Sequence, residues 1–365
     1  MSLVNQLKAY GKEIGIDYLG IAPAEPMPEL LALLSARRRA GLACPFEHKD
    51  DTLRSNPGQV LPGAKTVIVA ALPYAKNLPP SGRLQGQLAR VARGEDYHLV
   101  LERALRHLAL WLAARLPGLN YRLMVDTGPL AERALAVRAG LGWIGKNCCL
   151  MVPPAGSWVS LGILVLDQYL EPDPVLEGSC GSCRRCLAAC PTGALTEAQG
   201  LNYRKCLSYL NQATGYIPHE FRRLMGTRIY GCDTCQEACP HNRGRDAAIK
   251  LAPAETKPPV ADLISLLNMD KKEFNNLFGQ TSAAWCGRRV LRRNAAVALG
   301  NLGDPAAVGP LVKALDDPSP LIRGHAAWAL GRLGGVEAKE ALERALAAEK
   351  DETVRQEITL ALTNC

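Results

Sequence analysis

No apolar run in this 365-residue chain approaches the ~18 residues that a membrane span requires. The N-terminal stretch MSLVNQLKAYGKEIG has neither the apolar core nor the small-residue cleavage site of a secretory leader. It reads instead as an amphipathic helix carrying Leu3, Val4, Leu7 and Ile14. These absences argue against a membrane or exported protein, and the expectation is a cytoplasmic one with no membrane partner. There is also no P-loop and no His-x-Glu zinc motif, and histidines number only six. Low-complexity disorder is excluded because 48% of the residues are hydrophobic. The net charge of +8 is compatible with a polyanionic partner but too mild to require one.

Cysteine is what the chain has in excess: thirteen, where disulfides are not expected. Seven fall in two dense clusters between Cys180 and Cys239, with Cys206 between them. Metal binding follows as the default reading. Cys180-x2-Cys183-x2-Cys186-x3-Cys190-Pro191 has the spacing of a bacterial ferredoxin run, in which the fourth cysteine serves the other cluster. Zinc sites use C-x2-C pairs separated by a longer arm, which this run does not show. The second half, Cys232-x2-Cys235-x3-Cys239-Pro240, lacks one ferredoxin position, and Cys206 is the nearby spare. The crossing rule then gives cluster one Cys180, Cys183, Cys186 and Cys239. Cluster two takes Cys190, Cys206, Cys232 and Cys235. Two linked clusters form a wire for single electrons, with a donor outside and an acceptor inside the protein. Cys44, Cys148, Cys149, Cys286 and Cys365 have no metal spacing, and the vicinal pair reads as two small buried residues.

The fold class expected is multidomain α+β: an α/β domain over 1–170, a ferredoxin-like two-cluster domain over 171–250, and a helical connector with HEAT-like repeats over 251–365. In the first part, Thr66 to Val69 is a β-branched run between Pro62-Gly63 and Pro73, hence a buried strand. Residues 96–116 read as a helix with Leu99, Leu101, Leu105, Leu108 and Leu112 apolar, ended by Pro117-Gly118. YRLMVD and SWVSLGILVL are further strands, and Pro129 opens a helix through Ala139. In the last part, Ala298-Leu-Gly-Asn-Leu-Gly303 recurs 31 residues later as Ala329-Leu-Gly-Arg-Leu-Gly334. Repeated words of this kind mark a helical solenoid.

Gly140-Leu-Gly142-Trp-Ile-Gly145 matches the dinucleotide fingerprint in letters alone. A helix precedes it and a strand-like run follows, the reverse of what that site needs. Its glycines are expected to allow a sharp turn or a close approach of backbone to a large ligand. His98 and His107 lie on one helix and look structural or surface-facing. His241, beside a cluster cysteine, either tunes a cluster or is solvated. Asp126, at a strand end before Thr127-Gly128-Pro129, is the best acid candidate. A helix cap for the Pro129 helix is the competing reading.

Taken together, these residues resemble the epoxyqueuosine reductase family, which acts in the last step of queuosine synthesis in tRNA. The resemblance runs through Val125-Asp-Thr-Gly-Pro129 with Glu132-Arg133, Ala139-Gly-Leu-Gly-Trp-Ile-Gly-Lys-Asn147, and Asp96-Tyr-His98. It continues through both cysteine runs, Ala284-Trp-Cys-Gly-Arg-Arg-Val-Leu-Arg-Arg-Asn294 and the terminal repeats. It implies a cobalamin cofactor in an N-terminal domain similar to that of reductive dehalogenases, and two 4Fe–4S clusters that reduce it. It also implies removal of the epoxide oxygen of epoxyqueuosine at the tRNA wobble position, with Asp126 as proton donor. Arg54, Ala89, Asp126 and Ser208 fall near the family's cobalamin contacts. His98 lacks the surrounding pattern of a cobalt ligand. The segment Asn211-Gln-Ala-Thr-Gly215 departs from the family, which puts contacts there in question. An external electron donor of flavodoxin or ferredoxin type is implied, and a monomer is expected. Arg288, Arg289, Arg292 and Arg293, at i, i+4 spacing with no acid nearby in sequence, are expected to bind the tRNA backbone. Two other readings remain: a dehalogenase-like enzyme on a small molecule, and an electron-transfer protein with a solenoid docking module.

Overall fold

The computed structural model describes residues 1–74, 82–197, 200–244 and 261–363. Cys365 and residues 251–260 of the expected connector lie outside the described residues. The chain divides into two compact units. The first comprises Met1–Lys76, Glu95–Tyr203 and Thr234–Glu255, and the second Asn77–Gly94, Arg204–Asp233 and Thr256–Cys365. These do not follow the consecutive boundaries expected at 170 and 250. The physical reason is a short parallel pairing of Gln87–Leu88 with Arg228–Tyr230. Leu88, Ile229 and Tyr230 then share one core with the C-terminal helices.

The first unit is built on a four-stranded sheet. Its strands are β1 (Tyr18–Pro23), β2 (Thr66–Pro73), β3 (Tyr121–Met124) and β4 (Val159–Leu166), in the order β1-β2-β4-β3. Every neighbouring pair is antiparallel, which makes the layout of the expected α/β domain α+β. Ile68, Ala70 and Leu72 of β2 face one apolar layer, which includes Leu7 and the buried stripe Leu101, Leu105, Leu108 and Leu112 of the helix Tyr97–Ala113. Val67, Val69 and Ala71 face the other, with Leu135 and Ala136 of the helix Glu132–Arg138. A sheet covered on both sides explains why β2 is apolar throughout instead of alternating. Leu99, counted with the apolar stripe in sequence, is 41% exposed. Regular structure is sparse from 167 to 203, as the density of prolines and cysteines predicts.

The second unit carries the repeats. Gly287–Leu302, Val308–Ala314, Pro320–Leu333, Val336–Ala348 and Glu352–Leu362 are its main helices. The repeated glycine has a packing cause. A Cβ at Gly300 would sit 2.8 Å from Ala329 Cα, and one at Gly331 would sit 2.7 Å from Ala361 Cα. Each repeat therefore brings its helix backbone against the next, and only glycine fits the crossing. Among the described residues no helix is long and apolar enough to cross a membrane.

Candidate active site

Asp126 lies just past the end of β3 in a left-handed backbone conformation, φ 56°, which few residues other than glycine, asparagine and aspartate accept. Its N–H donates to Glu132 Oε1 at 2.7 Å. The helix that follows starts at Glu132 with Ala131 as its N-cap and no side-chain cap bond, so Asp126 is not a helix cap. Its side chain is 62% exposed and turned toward His98, whose Nε2 stands 3.5 Å from Asp126 Oδ2. That separation makes a long ion pair rather than a tight hydrogen bond, and Nε2 is shielded from solvent with no closer acceptor. Asp96, the N-cap of the helix Tyr97–Ala113, accepts from His98 N at 3.0 Å and contacts His98 Nδ1 at 2.6 Å.

This Asp96–His98–Asp126 line corrects the reading of His98 as structural or surface-facing. Sequence places Asp96 beside His98 but could not show Asp126, which sits past the end of a separate strand. Burial opposes the charged imidazolium, yet the two carboxylates outweigh it and raise His98 to about 9. The His98 contact holds Asp126 below the usual carboxylate range, against the effect of burial, with Tyr97 adding a further hydrogen bond. Burial pushes Glu132 up to about 8, opposed by the Asp126 N–H and reinforced by the Asp126 charge. At pH 7 these shifts favour an imidazolium on His98 between two carboxylates, Asp96 and Asp126, with a neutral acid at Glu132.

A pH test follows for Glu132. Glu132→Gln keeps an oxygen acceptor for the Asp126 N–H and should retain near-normal turnover at pH 7. Glu132→Ala frees the loop and should lower the turnover number by about tenfold or more with little change in substrate KM. In the parent, raising the pH through about 8 ionises Glu132 beside Asp126. The alkaline fall in rate should therefore begin later in Glu132→Gln, nearer the His98 value of about 9. Identical pH–rate profiles would show that Glu132 does not act on this site.

The cysteines of the first set converge. Cys180, Cys183, Cys186 and Cys239 line one small cavity with Lys146, Asn147, Met151, Pro240 and His241. Among the described residues no three His, Cys, Asp or Glu side chains gather as tightly as a single ion requires. The four cysteines instead share the lining of that cavity. His241 stands edge-on to Trp143, 5.3 Å between ring centres. Cys190, also in the first unit, accepts from Ala194 N at 3.3 Å, a bond of the kind that stabilises a thiolate sulfur. In the second unit, Cys206 precedes the helix Leu207–Leu210, and Cys232 packs with Leu207 and Leu210. Asn211 brackets Gly231, next to Cys232, with a pair of bonds: its Nδ2 donates to Gly231 O at 2.8 Å, and its Oδ1 accepts from Gly231 N at 2.9 Å. The 211–215 segment thus has a structural task. Cys148 and Cys149 are half-buried. At the dinucleotide look-alike, a Cβ on Gly142 would stand 1.7 Å from Met151 O, so the glycine serves backbone packing.

The remaining candidates are less uniform. Arg54 pairs with Glu47 at 2.8 Å and is 11% exposed. Ala89 is buried, and Ser208 Oγ accepts from Gln212 Nε2 at 3.0 Å. The arginine row does not form. Arg293 is 1% exposed and donates to the carbonyls of Leu210, Ala213 and Gly215. Arg292 donates to Leu267 O and pairs with Asp317, and Arg288 donates to Met269 O. Only Arg289 is exposed. The absence of acids nearby in sequence did not reveal Asp317 or the carbonyls, which arrive through folding. Arg293→Ala should cost about 3–5 kcal/mol of stability, since three buried carbonyls lose their donor. Arg289→Ala should change it by no more than about 0.5 kcal/mol. Denaturant titration of the two variants measures the contrast.

Residues 179–242 match a 4Fe–4S double cluster binding domain and residues 286–363 match HEAT repeats, which makes this a double-cluster iron–sulfur protein with a helical-repeat module. Residues 54–127, which span the Asp96–His98–Asp126 line, match epoxyqueuosine reductase QueG. The chain belongs to the epoxyqueuosine reductase family. It is 42% identical to the epoxyqueuosine reductase of Bacillus cereus over 97% of this chain and 95% of that protein. With the Escherichia coli K12 enzyme the figures are 35%, 90% and 89%. A solved epoxyqueuosine reductase in complex with an epoxyqueuosine-modified tRNA-Tyr stem loop superposes with a TM-score of 0.94 at 39% identity, covering 99% of this chain and 98% of that one. Another, from Bacillus subtilis, has a catalytic aspartate loop swung out of the active site, with a TM-score of 0.93 at 39% identity and coverage of 99% and 98%.

Proposed function

We propose that this protein reduces epoxyqueuosine to queuosine in tRNA, in the cytoplasm and as a monomer. The carrying observation is Asp126, exposed past a strand end, locked by Glu132 and charged against His98. Removing an epoxide oxygen as water takes two electrons and two protons. The opening oxygen leaves as an alkoxide unless an acid meets it. Asp126 is placed to pass on the proton that His98 holds, and Asp96 keeps the imidazole oriented for that transfer.

The electron side needs two 4Fe–4S clusters, one held by Cys180, Cys183, Cys186 and Cys239, the other by Cys190, Cys206, Cys232 and Cys235. The shared cavity of the first four supports their assignment, and the N–H bond to the Cys190 sulfur supports that of Cys190. Cobalamin, when bound, would supply a reducing centre that stores two electrons, which single-electron clusters cannot. Arg54, Ala89, Asp126 and Ser208 are the residues proposed to hold it. The shielded His98 Nε2, with no acceptor closer than 3.5 Å, fits a site completed by a bound group. The test is anaerobic preparation followed by metal and cofactor analysis, with conversion of epoxyqueuosine tRNA as the assay. About eight irons and one cobalt per chain are expected. Stoichiometric zinc in place of iron, or turnover without cobalamin, would overturn the reading.

A further inference from the structure

The four cysteines of cluster one have an outer side. Cys180 and Cys183 also line an open hollow on the surface with Ser179, Gly181, Ser182, Arg184, Arg185 and Pro240. Two cysteines of the inner cavity thus reach a surface that a protein partner could cover. The segments around the hollow lie against one another. A Cβ at Gly178 would meet the Trp143 ring at 2.1 Å, and one at Gly145 would stand 3.5 Å from Cys180 Sγ. Lys146 Nζ donates to Gly181 O at 2.8 Å.

The charge of these segments is one-sided. Arg184, Arg185 and Arg243 are exposed, and Lys146 is partly so. Among the described residues, the acids on or beside these segments are Glu197, which pairs with Arg184 at 2.9 Å, and the exposed Glu177 and Glu237. Apolar side chains stand out on the same segments: Ile144 is 37% exposed, Val175 59% and Leu176 41%. Arginines in the hollow over two of the cysteines, with exposed apolar side chains on the neighbouring segments, are the make-up of a transient electron-transfer contact. Such contacts are small, and they are steered by charge.

We infer that this face, bounded by residues 143–146, 175–185 and 240–243, docks an acidic protein that carries a one-electron centre and delivers electrons to cluster one. This rests on the cluster reading above. Each docking oxidises the carrier's centre by one electron and reduces the cluster by one. Two dockings, with two protons from water through the active site, balance one epoxide reduced to alkene and water. A basic face speeds arrival of an acidic carrier, and a small contact lets the spent carrier leave.

The experiment uses the full chain with its clusters and the double variant Arg185→Glu with Arg243→Glu. Two acidic probes, reduced flavodoxin and reduced ferredoxin, are compared with photoreduced deazariboflavin, an uncharged small reductant. Stopped-flow absorbance follows cluster reduction at several salt concentrations. In the parent, at least one protein probe should reduce the clusters at a rate that falls steeply with salt. In the variant that rate should drop by roughly tenfold or more at low salt and lose most of its salt dependence. Iron content and the rate with deazariboflavin should be unchanged. An unchanged rate and salt slope with the protein probes would overturn the inference, as would failure of both to reduce the parent while deazariboflavin succeeds. Failure of deazariboflavin as well, with iron absent, would instead overturn the cluster reading.

Discussion

Asp126→Asn should keep iron and cobalamin at parent levels and lose about a hundredfold or more of its turnover of epoxyqueuosine tRNA. Asparagine is the informative replacement because it also accepts the left-handed backbone at this position, φ 56°. It keeps the N–H that Glu132 holds, so the loop stays in place. What disappears is a group that can take the proton from His98 and give it to the opening oxygen. The pH dependence carries a second signature. His98 is raised to about 9 by Asp126 and Asp96 together, against burial. Removing one carboxylate lowers that value, so the residual activity should fall away at a lower pH than in the parent. Near-normal turnover in Asp126→Asn would show that the proton reaches the substrate by another path.

Local pattern was legible in the sequence wherever it reports packing directly. The apolar run from Thr66 becomes β2, and the leucines from 101 to 112 become the buried stripe of one helix. The repeated Ala-Leu-Gly words proved to be the points where helices touch, at Gly300 against Ala329 and Gly331 against Ala361. What the sequence hid was partnership between distant elements. His98 and Asp126 belong to a helix and a strand end, and the strand is the edge of the sheet beside β4, a pairing the sequence does not show. The arginines failed for the opposite reason, since polarity was equated with exposure. A signal was present: from Ala295 to Gly300 every residue is apolar or small, which covers all sides of the helix and marks one buried all round. Arg293, just before this run, lies in that same interior, where its donors satisfy the carbonyls of neighbouring turns.

Cys183→Ala should reduce iron from about eight to about four per chain and abolish turnover of the tRNA substrate, while cobalamin content persists. The four sulfurs around one cavity belong to residues 180, 183, 186 and 239, although the last is far along the chain. Alanine at 183 removes a ligand that no other described cysteine in the cavity replaces. With that cluster gone, electrons from the outer face no longer reach the active site. The cavity also makes a claim about pairing that iron counting can decide. Cys239→Ala should lose the same cluster as Cys183→Ala, so the combination Cys183→Ala with Cys239→Ala should still hold about four irons. If the ligands instead followed the order of the chain, with Cys190 completing the first set and Cys239 the second, the combination would lose both clusters. Cys206→Ala should remove the other four irons, and joined to Cys183→Ala it should leave a colourless protein. An iron count of about four in that last variant would exclude Cys206 from the second cluster.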